Sequence, residues 1–428
     1  MGRVVLMKDT VLIREKNPEI SKRILLFGYI GLGNVGAEIR LKVIVDEIRR
    51  ARPDGEITIL SFKVFRSDID GVKFVYIDDV FSEIPMVLDM IQKSDYLVCT
   101  EGIPFESVWG KGMLEYHWFI FFFGHIFKKK LISYSFDIDN LTRTEFMITK
   151  YVLENTDYLV SRTRDSCNML KKIGLKHKIY LGSDCALRFH PDAKKAIRDV
   201  KHNLKKSTGT EMIETRKIGF CLKDYFGFPI KYRFFFKDKK EEFHDPFYFT
   251  YTKKGRAKRH DFIVQLSKML NELLSDDGNL KIQLIVMELE ADMQITREVY
   301  SRIHSKERIE IISMKNRTLE EIKLNFSDMD CLITTRLHAL LLSLEYMIPV
   351  LSLSSDERLK YTLHEIGLRD YICEVRSAEV DEIIFKIRQF IDEQESNKVS
   401  FRKILRSTYK SFYLKSSKNY KYLKKFLG

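Results

Sequence analysis

Hydrophobic and polar positions along this chain alternate between two rhythms. Short apolar runs, each ending at small or polar residues, alternate with longer segments in which apolar residues recur every three or four positions. The short runs predict strands at Arg23–Phe27, Glu56–Ser61, Phe74–Ile77, Tyr96–Cys99, Leu131–Tyr134, Tyr158–Ser161 and Ile179–Leu181. A second series follows at Lys217–Leu222, Ile282–Met287, Ile309–Ile312, Cys331–Thr334, Val350–Leu353 and Tyr371–Val375. The segments between them predict helices, and strict strand–helix alternation argues for doubly wound parallel sheets. The expected class is therefore α/β, in two Rossmann-like domains.

The boundaries follow from where the pattern lapses. Residues 1–20 form a polar extension, and 21–190 carry the first series. Residues 191–215 are Lys-rich and weakly apolar, as a hinge would be, and 216–397 carry the second series. Residues 398–428 form a basic, aromatic tail. Two stretches break the rhythm. Gly112–Lys130 is almost continuously apolar but too short for a spanning helix, and it predicts a helix buried on a sheet. Asp224–His260 is a long loop dense in Phe, Tyr and basic residues, expected to cover an acceptor molecule with its rings.

Charge adds one thing to this picture. The net charge is +13, and the tail alone holds ten Lys and Arg and no acid, so the remainder carries only +3. Basic character confined to one end argues against a nucleic-acid-binding body. Basic residues interleaved with Phe401, Ile404, Leu405, Phe412, Tyr420, Leu423, Phe426 and Leu427 predict contact with an anionic membrane surface. The six cysteines are scattered without a C-x-x-C pair, and no signal peptide is evident. Both point to a reduced, cytoplasmic setting, at the inner face of the membrane through the tail.

Chemistry concentrates at the strand ends. Gly31, Gly33, Asn34 and Gly36 form G-x-G-x-x-G between a strand and a helix, where backbone can approach an anionic ligand. A nicotinamide cofactor would further require an acid closing the second strand. Phe62-Lys63 stand there instead. The stretch Asp328–Gly367 reads strand, helix, strand, helix, and a right-handed crossover brings both strand-to-helix turns to one sheet edge. Thr335 is the candidate cap of the first helix, which carries Arg336 and His338. Ser354, Ser355 and Asp356 are candidate caps of the second, which carries Arg358. Two helix starts, each with an arginine, suit a small ligand bearing two negative groups. Glu101, Arg164 and Lys223 stand at other strand ends and are expected to line the same cleft.

The run TTRLHALLLSLEYMIPVLSLSSDERL resembles the C-terminal signature of the polysaccharide pyruvyl transferase family. The resemblance extends over roughly residues 22–376. The glycine loop resembles the family's G-x-G-N-x-G-D-E, with Ala37 in place of the Asp. Arg164 and Asp165 resemble the start of R-D-x-x-S, with Asn168 in place of the Ser. Asp184-Cys185-Ala186 resembles Asp-x-Ala, and Asp292 matches a family Asp. The resemblance implies the GT-B arrangement of two domains facing a cleft. It implies phosphoenolpyruvate as donor, a sugar or lipid-linked glycan as acceptor, and a ketal as product, without cofactor or metal. Thr335, Arg336, Ser354, Ser355 and Arg358 would then bind the donor. His338 would donate to the phosphate or act as the acid, and Glu38 or another carboxylate would serve the acceptor hydroxyl in place of the missing Asp. Gly31, Gly33, Asn34, Gly36, Glu101, Arg164 and Lys223 would line the acceptor side. A nucleotide-sugar glycosyltransferase on the same fold and a non-catalytic binding relative are the rival readings.

Overall fold

The computed structural model describes residues 21–62, 69–77, 83–107, 111–139, 141–172, 174–175, 178–189, 215–229, 243–244, 247–353 and 356–428. The N-terminal sheet contains β1 (Arg23–Phe27), β2 (Glu56–Ser61), β3 (Lys73–Tyr76), β4 (Tyr96–Cys99), β5 (Lys130–Phe136), β6 (Tyr158–Ser161) and β7 (Ile179–Leu181). All of its pairings are parallel, in the order β3-β2-β1-β4-β5-β6-β7. The helices α1 (Val35–Ala51), α2 (Ile84–Lys93), α3 (Gly112–Ile126), α4 (Arg143–Glu154) and α5 (Arg164–Lys172) connect these strands.

The C-terminal sheet runs β13-β12-β8-β14-β15-β16, also parallel. Its strands are β8 (Lys217–Cys221), β12 (Lys281–Ile285), β13 (Ile309–Ile312), β14 (Cys331–Thr334), β15 (Val350–Leu353) and β16 (Ile372–Cys373). Between β8 and β12 lie a small antiparallel sheet, β9 (Phe228–Pro229), β10 (Phe243–His244) and β11 (Phe247–Thr250), and the helix α6 (Lys253–Asp276). The stretch Asp224–His260, expected as a loop, thus contains these short strands, and α6 takes its last eight residues. Thr252 caps α6 by accepting the Gly255 N–H, which is why the helix begins so far upstream of its apolar stripe. The remaining helices are α7 (Leu289–Ser301), α8 (Leu319–Asn325), α9 (Leu337–Glu345), α10 (Glu357–Glu365) and α11 (Val380–Leu427).

Local chemistry explains several of these starts. Asn34 caps α1 by accepting the Ala37 N–H. Thr142 with Glu145, and Thr318 with Glu321, form reciprocal capping boxes on α4 and α8. The central strands β1, β4 and β14 are buried along nearly their whole length, as parallel strands covered on both faces must be. Helix α3 buries Leu114, Tyr116, Ile120 and Phe121 against its sheet. Among the described residues no helix is long and apolar enough to cross a membrane.

One hydrophobic core belongs to both domains. It joins Ile39 and Ile44 of α1 to Phe326, Leu340 and Leu344 of the C-terminal domain, and to Leu405, Phe412, Leu423 and Phe426 of α11. This corrects the reading of the tail. The segment after 397 is no separate element: α11 is continuous over 48 residues and leaves the C-terminal domain to pack on the N-terminal one. Leu405, Phe412, Leu423, Phe426 and Leu427 are buried there, and Phe426 sits edge-on to Tyr96 and Tyr158. Tyr420 lies under the guanidinium groups of Arg50 and Arg188. The apolar positions read as lipid-facing thus cover protein. Ile404 is the exposed exception, and the side chain of Phe401 lies outside those described.

Candidate active site in the interdomain cleft

The glycine loop after β1 meets the loop after β12. Val35 donates its N–H to the Met287 carbonyl (2.8 Å), and Leu289 donates to the Gly33 carbonyl (3.0 Å). Gly33 has φ +72°, and a Cβ there would come within 2.7 Å of Leu289 Cδ1. At Gly36 a Cβ would overlap the imidazole of His338. The sequence suggested that these glycines open backbone to a ligand. At Gly33 and Gly36 the close neighbour is the other domain.

Glu38 is corrected in the same way. The residue facing the cleft is Ala37, and one helical position further on Glu38 turns inward, almost wholly buried. Its Oε1 accepts the Gly31 N–H (2.9 Å), and burial pushes its carboxyl up to about 7. Glu38 braces the glycine loop and does not reach the cleft.

Arg336 begins α9 as its N-cap, with no side chain capping that helix. Its guanidinium is occupied: Nη1 lies 2.7 Å from Glu288 Oε2, and Nε and Nη2 engage Asp292. The Tyr29 hydroxyl, from the N-terminal domain, donates to Glu288 Oε1 (2.7 Å). Arg336 therefore organises an interdomain latch instead of standing open to an anion. Thr335 does not cap α9, because its hydroxyl donates to the Cys221 carbonyl (2.8 Å). Its own carbonyl accepts from the Tyr225 hydroxyl (2.9 Å). Arg358 closes on Asp356, Nε to Oδ1 at 2.8 Å. Ser354 and Ser355 lie outside the described residues.

On the N-terminal side the organising group is Asp184, which caps a short 3-10 turn over Cys185–Arg188. It receives Arg40 Nη1 (3.1 Å) and Arg162 Nη1 (2.8 Å), and His338 Nε2 lies 3.5 Å away. Burial alone would raise its carboxyl, but Arg40, His338 and Arg162 outweigh it and hold it far below the usual range. Arg40 also donates to the carbonyls of Thr100, Tyr134 and Ser135. Arg162 reaches Asp137 through Nε, while its Nη2 is buried without a hydrogen-bond partner. His338 Nε2 is likewise buried and unsatisfied. Burial pushes His338 below its ordinary value, Asp184 pulls it back, and Arg162 and Arg40 add to the depression.

Tyr29, Asn34, Ala37, Glu101, Arg162, Lys223, Tyr225, Arg336, His338 and Arg358 line one cleft. Burial, then Arg336, push Lys223 down to about 7. Glu101 accepts the N–H groups of Tyr29 and Ile103. Burial works against its charge, but His117 and Arg40 help those N–H groups keep it ionised. Of the residues expected from sequence, Asn34, Glu101, Lys223, Thr335, Arg336, His338 and Arg358 meet here. Arg164 is exposed and lines the adjoining hollow with Leu181, Leu341, Phe412 and Lys415. Gly31, Gly33, Gly36 and Glu38 stand behind the wall.

Sequence reasoning passed over Tyr29, Arg162, Tyr225 and Glu288. Arg162 was legible as the residue just after β6, beside the Arg-Asp pair. Tyr29 and Glu288 carried no signal, being 259 positions apart. Among the described residues no group of His, Cys, Asp and Glu is placed to hold a metal ion.

The sequence model of a family described as polysaccharide pyruvyl transferase matches residues 34–357. Curated proteins gave no match. Among solved structures, the chain is similar to the UDP-GlcNAc 2-epimerase of Neisseria meningitidis bound to UDP-GlcNAc, at 12% identity and TM-score 0.59. That match covers 92% of this chain and 97% of the other. A putative UDP-N-acetylglucosamine 2-epimerase from Listeria monocytogenes matches at 13% identity and TM-score 0.56, covering 90% of each chain. At such identities the likeness is one of fold, and the fold is the GT-B arrangement of two Rossmann-like domains.

Proposed function

The chain belongs to the polysaccharide pyruvyl transferase family, and on that premise we propose that its cleft binds phosphoenolpyruvate and transfers the pyruvyl carbon to two hydroxyls of a sugar as a ketal. One observation carries the donor assignment. Buried Arg162 Nη2 lacks an acceptor, His338 Nε2 has only the long 3.5 Å approach to Asp184, and both residues line the same cleft as the uncapped start of α9. Buried donors left unmatched cost about 1–3 kcal/mol each. An anion with several oxygens satisfies them together with the helix-start amides.

The chemistry then follows from charge and position. A proton added to the methylene carbon leaves C2 cationic. One sugar hydroxyl adds to C2, phosphate departs with its bridging oxygen, and the second hydroxyl closes the ketal; of the two hydroxyl protons, one restores the acid and the other leaves on phosphate. His338 supplies the first proton. Its burial disfavours the imidazolium in the empty cleft, and a bound dianion reverses that preference. Arg162 and Lys223 hold the donor's negative groups, and Lys223 takes up a proton as they arrive. Glu101 is held ionised on the N-terminal side of the cleft, where a carboxylate can orient an acceptor hydroxyl.

Calorimetric titration with phosphoenolpyruvate and with UDP tests this reading. Phosphoenolpyruvate should bind, and Arg162→Ala should weaken it more than tenfold, as expected for losing a charge-assisted bond of about 2–5 kcal/mol. Binding of UDP in preference to phosphoenolpyruvate would favour a nucleotide-sugar transferase.

A further inference from the structure

Asn419 is a fully buried amide on α11, and a buried amide needs partners. It finds both on one residue of the N-terminal domain. Nδ2 donates to the Ser183 carbonyl (2.6 Å), and Oδ1 accepts the Ser183 N–H (3.4 Å). Gly182 makes room for this: any Cβ there would overlap Asn419 Oδ1. One turn earlier on α11, the buried Ser416 hydroxyl donates to the Asp184 carbonyl (3.0 Å). The helix thus grips the backbone of 182–184 and leaves the Asp184 carboxylate to Arg40, Arg162 and His338.

We propose that Asn419 and Ser416 are positioning residues, through which α11 aligns Asp184 on His338 and sets the acid–base behaviour of that imidazole. Neither residue lines the cleft. Asp184 is the one carboxylate within ion-pair distance of His338 among the described residues. The other charged neighbours are Arg162 after β6 and Arg40 of α1, both cationic, and the α1 backbone at Gly36 closes the remaining side. The balance at His338 therefore rests on how well one carboxylate is held against two guanidinium groups. A backbone clamp is a sensitive control, because a charge pair interacts more strongly inside a protein than in water, so a shift in its separation counts for more.

The experiment is a histidine-selective NMR titration of the full chain, with the His338 signal assigned by its absence in His338→Gln. Asn419→Ala and Ser416→Ala should each lower the His338 pKa, by roughly one unit for Asn419→Ala, because an ill-placed carboxylate no longer favours imidazolium. Leu423→Ala removes a fully buried side chain from the same helix without touching 182–184. It should lower the melting temperature and leave the titration unchanged. Wild-type titration in both Asn419→Ala and Ser416→Ala, or an equal shift in Leu423→Ala, overturns the proposal. If Asn419→Ala does not fold, Ser416→Ala decides. This titration does not depend on the pyruvyl-transfer reading, which fails separately if the wild-type protein does not bind phosphoenolpyruvate. If that reading holds, the falling limb of kcat against pH should move to lower pH in step with the His338 pKa.

Discussion

His338 rests against Gly36 so closely that α1 can carry no side chain at that position. The contact crosses the domain boundary, with the glycine in the N-terminal domain and the histidine at the start of α9 in the C-terminal one. Gly36→Ala should therefore push the imidazole off Asp184 or part the domains. Overpacking of this kind costs about 1–3 kcal/mol. We expect a lower melting temperature and a loss of turnover larger than the loss of donor affinity. Thermal unfolding beside steady-state kinetics checks both, and a variant with normal turnover would show that the ring can sit elsewhere.

Arg336 joins two carboxylates of its own domain and, through Glu288, a tyrosine of the other. Removing one partner from a buried ionic cluster typically costs about 3–5 kcal/mol, because the remaining charges are left uncompensated. Arg336→Ala should therefore lower the urea midpoint sharply. Tyr29→Phe deletes a single hydrogen bond and should cost about 0.5–1.5 kcal/mol. A stable Arg336→Ala protein with abolished phosphoenolpyruvate binding would instead make Arg336 a donor ligand.

Glu38 gives a pH dependence with a definite sign. Burial raises its carboxyl from an ordinary 4.5 to about 7. Between those values the unfolded chain has released a proton that the folded protein retains, so stability falls as pH rises through the window. At about 1.36 kcal/mol per unit, the loss above pH 7 is on the order of 3 kcal/mol. Glu38→Gln keeps an acceptor for Gly31 and should be more stable than wild type at pH 8 but not at pH 4.5. Denaturant unfolding across that range tests it, and parallel wild-type and variant curves would refute it.

Truncation after residue 397 should produce an aggregating or unfolded protein, because it strips Leu405, Phe412, Leu423 and Phe426 from the shared core. Single Leu→Ala changes in cores cost about 2–5 kcal/mol each. Light scattering and near-UV circular dichroism of the truncated chain would show this. A monomeric, cooperatively folding truncation would mean that the N-terminal domain completes its core unaided.

The strands were legible because parallel strands buried on both faces read as short apolar runs, and β1, β14 and β15 begin and end where the sequence pattern placed them. The position of His338 and Lys223 at a cleft followed from topology, since both stand at the same end of a parallel sheet. Their electrostatics did not follow. Nothing local signals that Arg336 is matched by Glu288 and Asp292, because those acids enter from a different strand-to-helix turn. The role of Glu38 was misread because one helical step turns a side chain by about 100 degrees. Ala37 has the cleft and Glu38 has the interior. The tail was misread for a related reason: an amphipathic helix shows in sequence that one face is covered, but not whether lipid or protein covers it.

The course of α11 also bears on how the protein is made. The N-terminal sheet offers its α1 face to a helix encoded more than two hundred residues later, with Tyr96 donating its hydroxyl to the Leu427 carbonyl. During synthesis that face waits, apolar and uncovered, while the whole C-terminal domain emerges. An N-terminal domain that relies on this cover should fold only together with the second half of α11, by a long-range closure of the kind that slows folding. Binding by a chaperone should therefore concentrate on Ile39, Ile44 and Ile48, and should end only when the second half of α11 arrives to replace it.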